Sequence, residues 1–393
     1  MPFDVAAVQE ALRAARLDGW LLYDFHGSNP IAARLLETDG AKMKTRRWFY
    51  LVPATGEPIG LVHAIERRTL DAVPGHKAIY AGREQLDAGL TKLLTGMKRV
   101  AMEYSRDCAI PYISRIDAGT MDLVRSRGIE VESSGDLVQR FEAVWDDHAL
   151  ATHHAAAQAL YRVKDRAFDA ITQNVRAGRP TTEFAVQQQM AAWFEEEGLI
   201  SDSSPVVAAQ ENAGDPHYLP TAKRTRSIGA NELVLLDLWA KEKDDPRAVY
   251  ADITWVGFTG SAVPDEMARA FGAICEARDA ASALVQESAR GQRDLRGWQV
   301  DRAARIVLTQ AGFGERILHR TGHNLGREVH GNGVHMDDYE THDDRRLLPG
   351  TGFTIEPGLY FDSFGVRTEI NMFFGQHEAT VTGPVQTEIV RLV

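Results

Sequence analysis

The sequence predicts an α+β protein of two domains, with a small α/β domain preceding a larger α+β domain. Its 393 residues exceed the length of one average domain. Strand-like and helix-like segments alternate up to about residue 135, which is typical of an α/β domain. The second half contains strands, then two helices, then strands again, unlike a βαβ repeat. We therefore predict domains at 1–155 and 156–393.

The elements of the first domain follow from hydrophobic periodicity and turn residues. Val5, Val8, Leu12 and Ala15 share one face at helical spacing, so a helix is predicted over 5–16. A second, mainly helical segment is predicted between residues 110 and 128. Strands are predicted at 18–25, at 48–65 as two strands joined by a turn at 54–58, at 99–105 and at 128–133.

A strongly helical stretch at 136–178 joins the two halves, and we place the domain boundary within it, near residue 155. His153 and His154 lie in an alanine-rich part of this stretch, a pattern that indicates a solvent-exposed pair. The sequence then predicts strands at 205–209, 232–240 and 248–258, helices at 263–288 and 297–311, and mostly strand and turn over 327–393.

Composition and charge exclude several classes of partner. Hydrophobic content of 44% and charged content of 25% are those of an ordinary globular protein. A net charge of −11 with no basic block argues against binding nucleic acid or an anionic membrane. The N-terminal residues predict no signal peptide, and no apolar run reaches the length of a membrane span. Two widely separated cysteines favour a reducing compartment, so we expect a cytoplasmic enzyme.

Two aspartates stand in strand-like surroundings, Asp237 in LVLLDLWA and Asp252 in VYADITW. They flank the charged, turn-like segment 241–247, so we expect a hairpin with one acidic side chain on each strand. Paired antiparallel strands can bring two such side chains onto one face. Taken alone, the pair is more simply explained as strand-end aspartates that face water.

The C-terminal part of the chain holds the other candidate residues. His323 is flanked by glycines and His330 follows seven positions later; either alone would be interpreted as a core histidine. Glu356 stands in an apolar strand-like run just before a Pro-Gly turn. Glu369 is similar, and Arg367, two positions earlier, is expected on the same strand face. Acidic residues within apolar strands need an explanation, because a buried ionised group is costly unless it is paired or bound to metal.

Together, four carboxylates and an imidazole indicate a hydrolytic site with two metal ions. Four clustered carboxylates would repel one another and take up protons unless cations neutralised them. Two divalent ions about 3.5–4 Å apart would supply four positive charges and could hold a bridging water as hydroxide. The oxygen-rich ligand set favours Mn²⁺, with Co²⁺ or Zn²⁺ as alternatives. The set contains no thiolate, which argues against a structural zinc site.

At these residues the sequence resembles the pita-bread metallopeptidases, the family that includes methionine aminopeptidase, Xaa-Pro aminopeptidase and Xaa-Pro dipeptidase (prolidase). The resemblance covers residues from about 160 to 393 and rests on motifs in the family's order: ENAGDPHY, LLDLWA, YADIT, HRTGHNLGREVH, TIEPGLY and GVRTE. The N-terminal α/β domain resembles that of creatinase and of the proline-specific peptidases. The resemblance therefore implies a C-terminal pita-bread domain preceded by a creatinase-like domain.

Matched by motif, the resemblance implies a metal-ligand set of Asp237, Asp252, His323, Glu356 and Glu369. Asp252 and Glu369 would bridge the two ions. Asp237 would bind one of them, and His323 with Glu356 the other. Glu356 would also be the acid/base of the reaction, hydrolysis of the peptide bond before proline by a bridging hydroxide.

The resemblance also implies residues that contact the substrate. His217 and His330 would be catalytic residues that contact the scissile carbonyl or the leaving nitrogen, and His319 would line the proline pocket. Arg367 would hold the substrate carboxylate or support the site. The partner would be a small peptide with proline at its second position, and the family analogy implies a homodimer.

The sequence departs from the family at several positions near these motifs. Ser203 stands where many relatives carry a tyrosine that orients the first aspartate ligand. Gln210 replaces a common glycine, Trp255 follows the DIT motif where arginine is frequent, and Gly331 follows His330 where many members have an acid. These departures are expected to alter the pocket and the rate more than the ligand set.

Three functions remain to be separated by experiment. The preferred one is an Xaa-Pro dipeptidase, with an Xaa-Pro aminopeptidase acting on longer peptides as second choice. The second is another hydrolase on the same scaffold: retention of all five ligands argues against a metal-free site like that of creatinase, and activity on phosphotriesters would be incidental. A non-catalytic binding protein is disfavoured on the same ground, since such relatives typically lose ligands.

Overall fold

The structure, a computed structural model, describes residues 3–38, 45–179 and 181–393. The chain forms two compact units, Met1–Glu142 and Ala143–Val393. The predicted boundary near residue 155 instead falls inside a long helix, Asp147–Arg176, which packs on strands of the second unit. Helical periodicity alone gave no reason to divide the stretch at 143–146, where the chain leaves one helix and enters the next.

The first unit is built on a six-stranded mixed sheet. In chain order its strands β1–β6 are Gly19–Asp24, Trp48–Pro53, Ile59–His63, His76–Tyr80, Arg99–Met102 and Glu130–Ser133, and their order across the sheet is β4-β3-β2-β1-β5-β6. Helices α1–α5 are Val5–Ala14, Pro30–Leu35, Arg83–Leu93, Ala118–Arg125 and Gly135–Glu142. All six residues of β1 and of β2 are buried, which explains their nearly continuous apolar sequence.

A buried carboxyl lies in the core of this unit. Glu103 is fully buried and accepts hydrogen bonds from Trp20 Nε1 and Asn29 Nδ2, both at 2.7 Å, and from Ser134 Oγ at 3.1 Å. Burial raises the pKa of Glu103 to about 7, although all three donors act to lower it.

Four helices of the second unit surround its strands. They are α6 Asp147–Arg176, α7 Glu183–Glu196, α8 Asp265–Arg290 and α9 Gly297–Gln310. Helix α6 begins at a capping residue, Asp146, whose side chain accepts from Ala149 N. None of the helices in the described part of the chain is both long and apolar enough to span a bilayer.

The strands of the second unit form two larger sheets and two short pairs. In chain order they are β7 Thr181–Thr182, β8 Leu199–Ile200, β9 Val206–Ala209, β10 Ser227–Ile228, β11 Leu233–Glu242, β12 Ala251–Phe258, β13 Asn324–Leu325, β14 Thr351–Ile355, β15 Gly358–Tyr360, β16 Gly365–Arg367, β17 Ile370–Phe374, β18 Ala379–Val381 and β19 Val390–Arg391. One sheet runs β19-β12-β11-β8 with β9 also on β11; the other runs β13-β14-β17-β18. Strand β15 pairs with β16, and β10 with β7.

The alternating side chains of β11 enter two different hydrophobic cores. Val234 and Leu236 belong to a core with residues of α6 and α7, whereas Leu233 and Leu235 belong to a core with α8, α9, β14 and β17. Asp237 therefore lies on the face of β11 that looks toward α8, β14 and β17. Pairing across the hairpin places the acidic side chain of β12 on the same face.

The predicted fold class is confirmed. The second unit is an α+β unit, and the first is the smaller α/β unit expected before it. The prediction that both members of the histidine pair are exposed is wrong for His153, which is fully buried, while His154 is exposed. Local spacing could not predict this burial, because the residues that contact His153, Tyr250 and Thr382, are distant from it in the sequence.

Candidate metal centre

Two aspartates share one face of the β11–β12 hairpin. Asp237 is paired with Thr254, and Trp239 with Asp252, in an antiparallel register. Directly paired residues point to the same side of a sheet, and Thr254 is two positions from Asp252. Both carboxylates therefore point to the same side, and Asp252 is only 5% exposed. The strand-end alternative, with both groups in water, does not describe this geometry.

Two glutamates flank the last residue pair of strands β14 and β17. Ile355 is paired with Ile370, so Glu356 leaves β14 at the point where Glu369 enters β17. Glu369 is 2% exposed, and its backbone N donates to Thr254 O at 3.3 Å. That bond connects the strand pair that carries the glutamates to the hairpin that carries the aspartates.

His323 is held at the edge of the same sheet. Its backbone N donates to Thr354 Oγ1 at 3.0 Å, and its carbonyl accepts from Thr354 N at 2.9 Å. Its ring Nδ1 lies 3.3 Å from the carbonyl of Asn324, which can only accept, so Nδ1 carries the hydrogen. The lone pair on Nε2 then faces carboxylate oxygens, at 3.3 Å from Glu356 Oε1 and 3.6 Å from Asp252 Oδ2.

The geometry brings three of the five predicted ligands within reach of one ion. Asp252, His323 and Glu369 each offer a ligand atom, and these atoms lie within 4.8 Å of one another. Asp252 Oδ1 and Glu369 Oε1 are buried and have no hydrogen-bond partner among the described residues. Buried carboxylate oxygens without donors, facing an imidazole lone pair, are unfavourable unless a cation lies between them. The donor set therefore fits the divalent metal that the sequence predicts.

The electrostatics of the acidic cluster also fit a bound cation. Burial raises the pKa of Asp252 well above its usual range, and the charge of Glu369 raises it further. Burial likewise raises the pKa of Glu369, with the Glu356 charge adding to it. Burial raises the pKa of Glu356 to about 7, opposed by Arg367. Burial also lowers the pKa of His323, which keeps the imidazole neutral and able to ligate.

The fourth predicted ligand, Asp237, is oriented by a buried arginine. Arg367 is 5% exposed, and its Nη2 donates to Asp237 Oδ2 at 2.5 Å. Its Nη1 donates to Tyr360 OH at 2.9 Å and its Nε to Thr254 Oγ1 at 3.1 Å. Thr254 Oγ1 lies 3.2 Å from Asp237 Oδ1 and 2.9 Å from Glu369 Oε2. Three partners thus fix the guanidinium within the site.

Sequence reasoning missed Thr254 and Tyr360 as parts of this site. Strand alternation could have identified Thr254, because it lies two positions after Asp252 and shares its face. Tyr360 stands within the TIEPGLY motif, but nothing local indicates that its hydroxyl accepts from Arg367.

The three histidines assigned to substrate contact differ in their surroundings. His330 is exposed, and its ring centroid lies 4.3 Å from that of His323. His319 is half-buried, with Nε2 2.6 Å from Tyr360 OH and Nδ1 2.6 Å from Arg320 O. His217 is exposed, and its charge contributes to lowering the pKa of both other histidines. Desolvation by the surrounding protein is the main cause of both shifts; it lowers the pKa of His319 to about 3 and that of the more exposed His330 less far.

A buried glutamate that the sequence did not single out holds the segment around His217. Glu183 is fully buried and accepts from Tyr218 OH at 2.6 Å, from Ala209 N at 2.8 Å and from Arg226 N at 2.8 Å. These contacts fix residues on both sides of His217, which itself points to solvent.

Two departures from the family motifs have a structural account. A Cβ at Gly331 would lie 2.2 Å from Asn324 Oδ1, so the turn after His330 requires glycine. Ser203 is exposed, and Asp237 takes its orientation from Arg367 and Thr254. The loss of an aromatic residue at Ser203 therefore leaves Asp237 with two buried partners.

Fold and site together define a protein of the pita-bread class. The profile of metallopeptidase family M24 matches residues 155–374, more than half of the chain, so the chain belongs to this family. It is 31% identical over 180 residues to the Xaa-Pro dipeptidase of Lactobacillus helveticus, a match covering 44% of this chain and 43% of that protein. The chain spans about half the length of the curated relatives that it matches.

Solved structures share the fold over nearly the whole chain. Dipeptidase PepE from Mycobacterium ulcerans superposes with a TM-score of 0.71 at 21% identity, covering 99% of this chain and 96% of that one. Prolidase from Thermococcus sibiricus gives 0.65 at 19% identity, covering 100% and 99%. At these identities the likeness establishes the fold.

Proposed function

We propose that this chain is an Xaa-Pro dipeptidase that hydrolyses the peptide bond before proline at a centre of two divalent cations. The observation that carries the proposal is the convergence of Asp252, His323 and Glu369 around buried carboxylate oxygens that lack donors among the described residues. Family membership and the names of the relatives support the same reaction.

We infer that the ions are held by Asp237, Asp252, His323, Glu356 and Glu369. Four carboxylates and one imidazole favour Mn²⁺, with Co²⁺ and Zn²⁺ as alternatives. Bound ions of this kind supply an activated water nucleophile at neutral pH and polarise the scissile carbonyl.

Glu356 is the proton carrier in this proposal. In the metal-free site burial raises its pKa to about 7, and a carboxylate beside the nucleophile can accept a proton and return it. Its Oε1 lies within the acidic cluster, 3.3 Å from His323 Nε2. The leaving prolyl nitrogen must gain a proton as the bond breaks, and Glu356 would deliver it.

The histidines at the site would act as neutral hydrogen-bond donors to the substrate. Because desolvation by the protein around its ring lowers the pKa of His330 below the ordinary 6.5, its imidazole is uncharged at pH 7 and keeps one N–H. An N–H aimed at the carbonyl oxygen stabilises the charge that develops there. We assign to His217 a contact with the scissile carbonyl or the leaving nitrogen, and to His319 the lining of the proline pocket.

Of the two roles considered for Arg367, support of the site agrees better with its contacts. All three of its nitrogens donate to residues within the site, so little of the guanidinium is left for a substrate carboxylate. A cytoplasmic location and a homodimer complete the proposal. Two free, widely separated cysteines support the first, and fold-level analogy is the basis of the second.

Hydrolysis of three unprotected peptides tests this function. The purified full-length chain, reconstituted with Mn²⁺, is expected to release proline from Ala-Pro while leaving Ala-Pro-Ala and Ala-Ala largely intact. Faster cleavage of Ala-Pro-Ala would make the enzyme an aminopeptidase. No cleavage of any peptide, with metal bound, would favour a binding protein.

A further inference from the structure

His153 is a fully buried histidine that the proposed chemistry does not use. Its Nδ1 lies 2.8 Å from the carbonyl of Tyr250, and its Nε2 lies 2.7 Å from Thr382 Oγ1. A carbonyl can only accept, so Nδ1 carries the hydrogen and Nε2 accepts from the threonine hydroxyl. The ring also packs against Trp145, with centroids 5.0 Å apart. Both polar atoms are therefore committed, and the ring has a single orientation.

The hydrogen bond between His153 and Tyr250 connects helix α6 to the segments that carry two predicted metal ligands, Asp252 and His323. Tyr250 lies two residues before Asp252, and its backbone N donates to Gly326 O at 2.9 Å. Gly326 in turn lies three residues after His323. The peptide groups of Tyr250 thus join the segment that enters β12 to the segment that follows His323, and His153 fixes them from the side of α6.

The hydrogen bond between His153 and Thr382 connects helix α6 to the segment of a third predicted ligand, Glu369, and again to that of Asp252. Thr382 N donates to Asn371 O at 3.0 Å, and Asn371 lies two residues after Glu369. The Asn371 side chain pairs with the backbone of Asp252: its Oδ1 accepts from Asp252 N at 3.0 Å and its Nδ2 donates to Asp252 O. This amide acts as an extra peptide group between β12 and β17.

We propose that His153 is a positioning residue for the metal centre, which fixes the segments of Asp252, His323 and Glu369 relative to one another. These are the three residues whose ligand atoms converge. The inference rests on the proposed metal-dependent function. Removing hydrogen-bonded contacts behind metal ligands typically weakens metal affinity about 10–100-fold, because the ligands are no longer held in binding geometry.

Calorimetric titration of the metal-stripped, full-length protein with Mn²⁺ tests the proposal without an activity assay. His153→Phe keeps an aromatic ring in place and removes both hydrogen bonds, so we expect Mn²⁺ affinity to fall at least about tenfold. His154→Phe makes the same change at the exposed neighbour and is expected to bind Mn²⁺ like the wild type. His153→Asn retains a donor toward Tyr250 and should recover part of the affinity.

The melting temperature of the metal-free variants separates positioning from simple stabilisation. A lower melting temperature for His153→Phe with an unchanged Mn²⁺ dissociation constant would overturn the proposal. If that variant does not fold, Thr382→Val replaces it, because this change removes the hydroxyl that His153 contacts. Weaker Mn²⁺ binding by Thr382→Val than by the wild type supports the proposal, and equal binding overturns it. If the wild type binds no Mn²⁺, the metal centre itself is rejected, an outcome that needs no variant to recognise.

Discussion

Glu356 combines a place in the acidic cluster with a pKa near neutrality. We expect Glu356→Gln to lower kcat on Ala-Pro at least about 100-fold, because an amide cannot accept and return a proton. Circular dichroism and the melting temperature of the metal-free protein should be nearly unchanged. Bound Mn²⁺ is measured in parallel, since Glu356 is also a proposed ligand. Activity close to that of the wild type would reject its assigned role.

A substitution at His330 tests whether its proposed contact with the substrate is independent of metal binding. Its ring lies beside that of His323, yet it is outside the cluster of converging ligand atoms. His330→Ala should cut kcat about 100-fold, the usual effect of losing one donor to a developing negative charge. Metal analysis of the purified variant should give the wild-type Mn²⁺ content. Loss of Mn²⁺ would mean that His330 is itself a ligand.

At the scale of the strands, the sequence predicted where the strands lie better than it predicted which distant residues contact them. The apolar runs around Asp237 and Asp252 predicted the β11–β12 hairpin, and alternation then gives the face that each aspartate occupies. Local patterns do not show that Arg367 contacts Asp237, 130 residues away, or that Asn371 binds the backbone of Asp252. Such partners are set by tertiary packing, which a residue's sequence neighbours do not report.

Strand β14, which leads to Glu356, has no room for a side chain at Gly352. A Cβ there would lie 1.9 Å from the ring of Trp145. That ring cannot easily move, because its Nε1 donates to Leu325 O at 3.2 Å. We expect Gly352→Ala to lower the free energy of unfolding by about 1–3 kcal/mol, measured by urea denaturation.

A matched substitution in helix α8 should have the opposite sign. Gly272 is exposed, and a Cβ there meets no atom of the described residues within 4 Å. Gly272→Ala should stabilise by about 0.5–1 kcal/mol, because alanine loses less backbone entropy in a helix. Equal effects of the two changes would show that Gly352 is not confined by Trp145.

For the whole molecule, the order of strands and helices was enough to predict the fold class. The sequence did not indicate the strand order of the first sheet, because edge strand β4 has a mostly exposed and weakly apolar sequence. Nor did it identify Glu103 as a buried carboxyl, since its three donors come from residues 20, 29 and 134.

Glu103 should make stability depend on pH. Burial raises its pKa in the folded state to about 7, above the ordinary 4.5. Between these values the folded chain holds a proton that the unfolded chain has lost, so stability falls as pH rises, by up to about 1.4 kcal/mol per pH unit. Above about pH 7 the contribution is constant. Urea denaturation from pH 5 to 8 should show that stability falls more steeply in the wild type than in Glu103→Gln, because the other buried carboxyls and histidines titrate in both proteins; parallel profiles would contradict it.

Arg367 also contributes to the charge balance of the proposed metal centre. With all four carboxylates ionised, as metal binding would require, they and the guanidinium carry a formal charge of −3, which one divalent cation would reduce to −1 and a second would turn into +1. The first equivalent therefore enters a strongly attractive cavity and the second a weakly attractive one. Loading should be sequential, with a half-filled species at limiting Mn²⁺, and calorimetry should resolve two steps of unequal affinity. Binding of both Mn²⁺ equivalents in a single step of equal affinity would show that the charge of the guanidinium does not make the second ion bind more weakly.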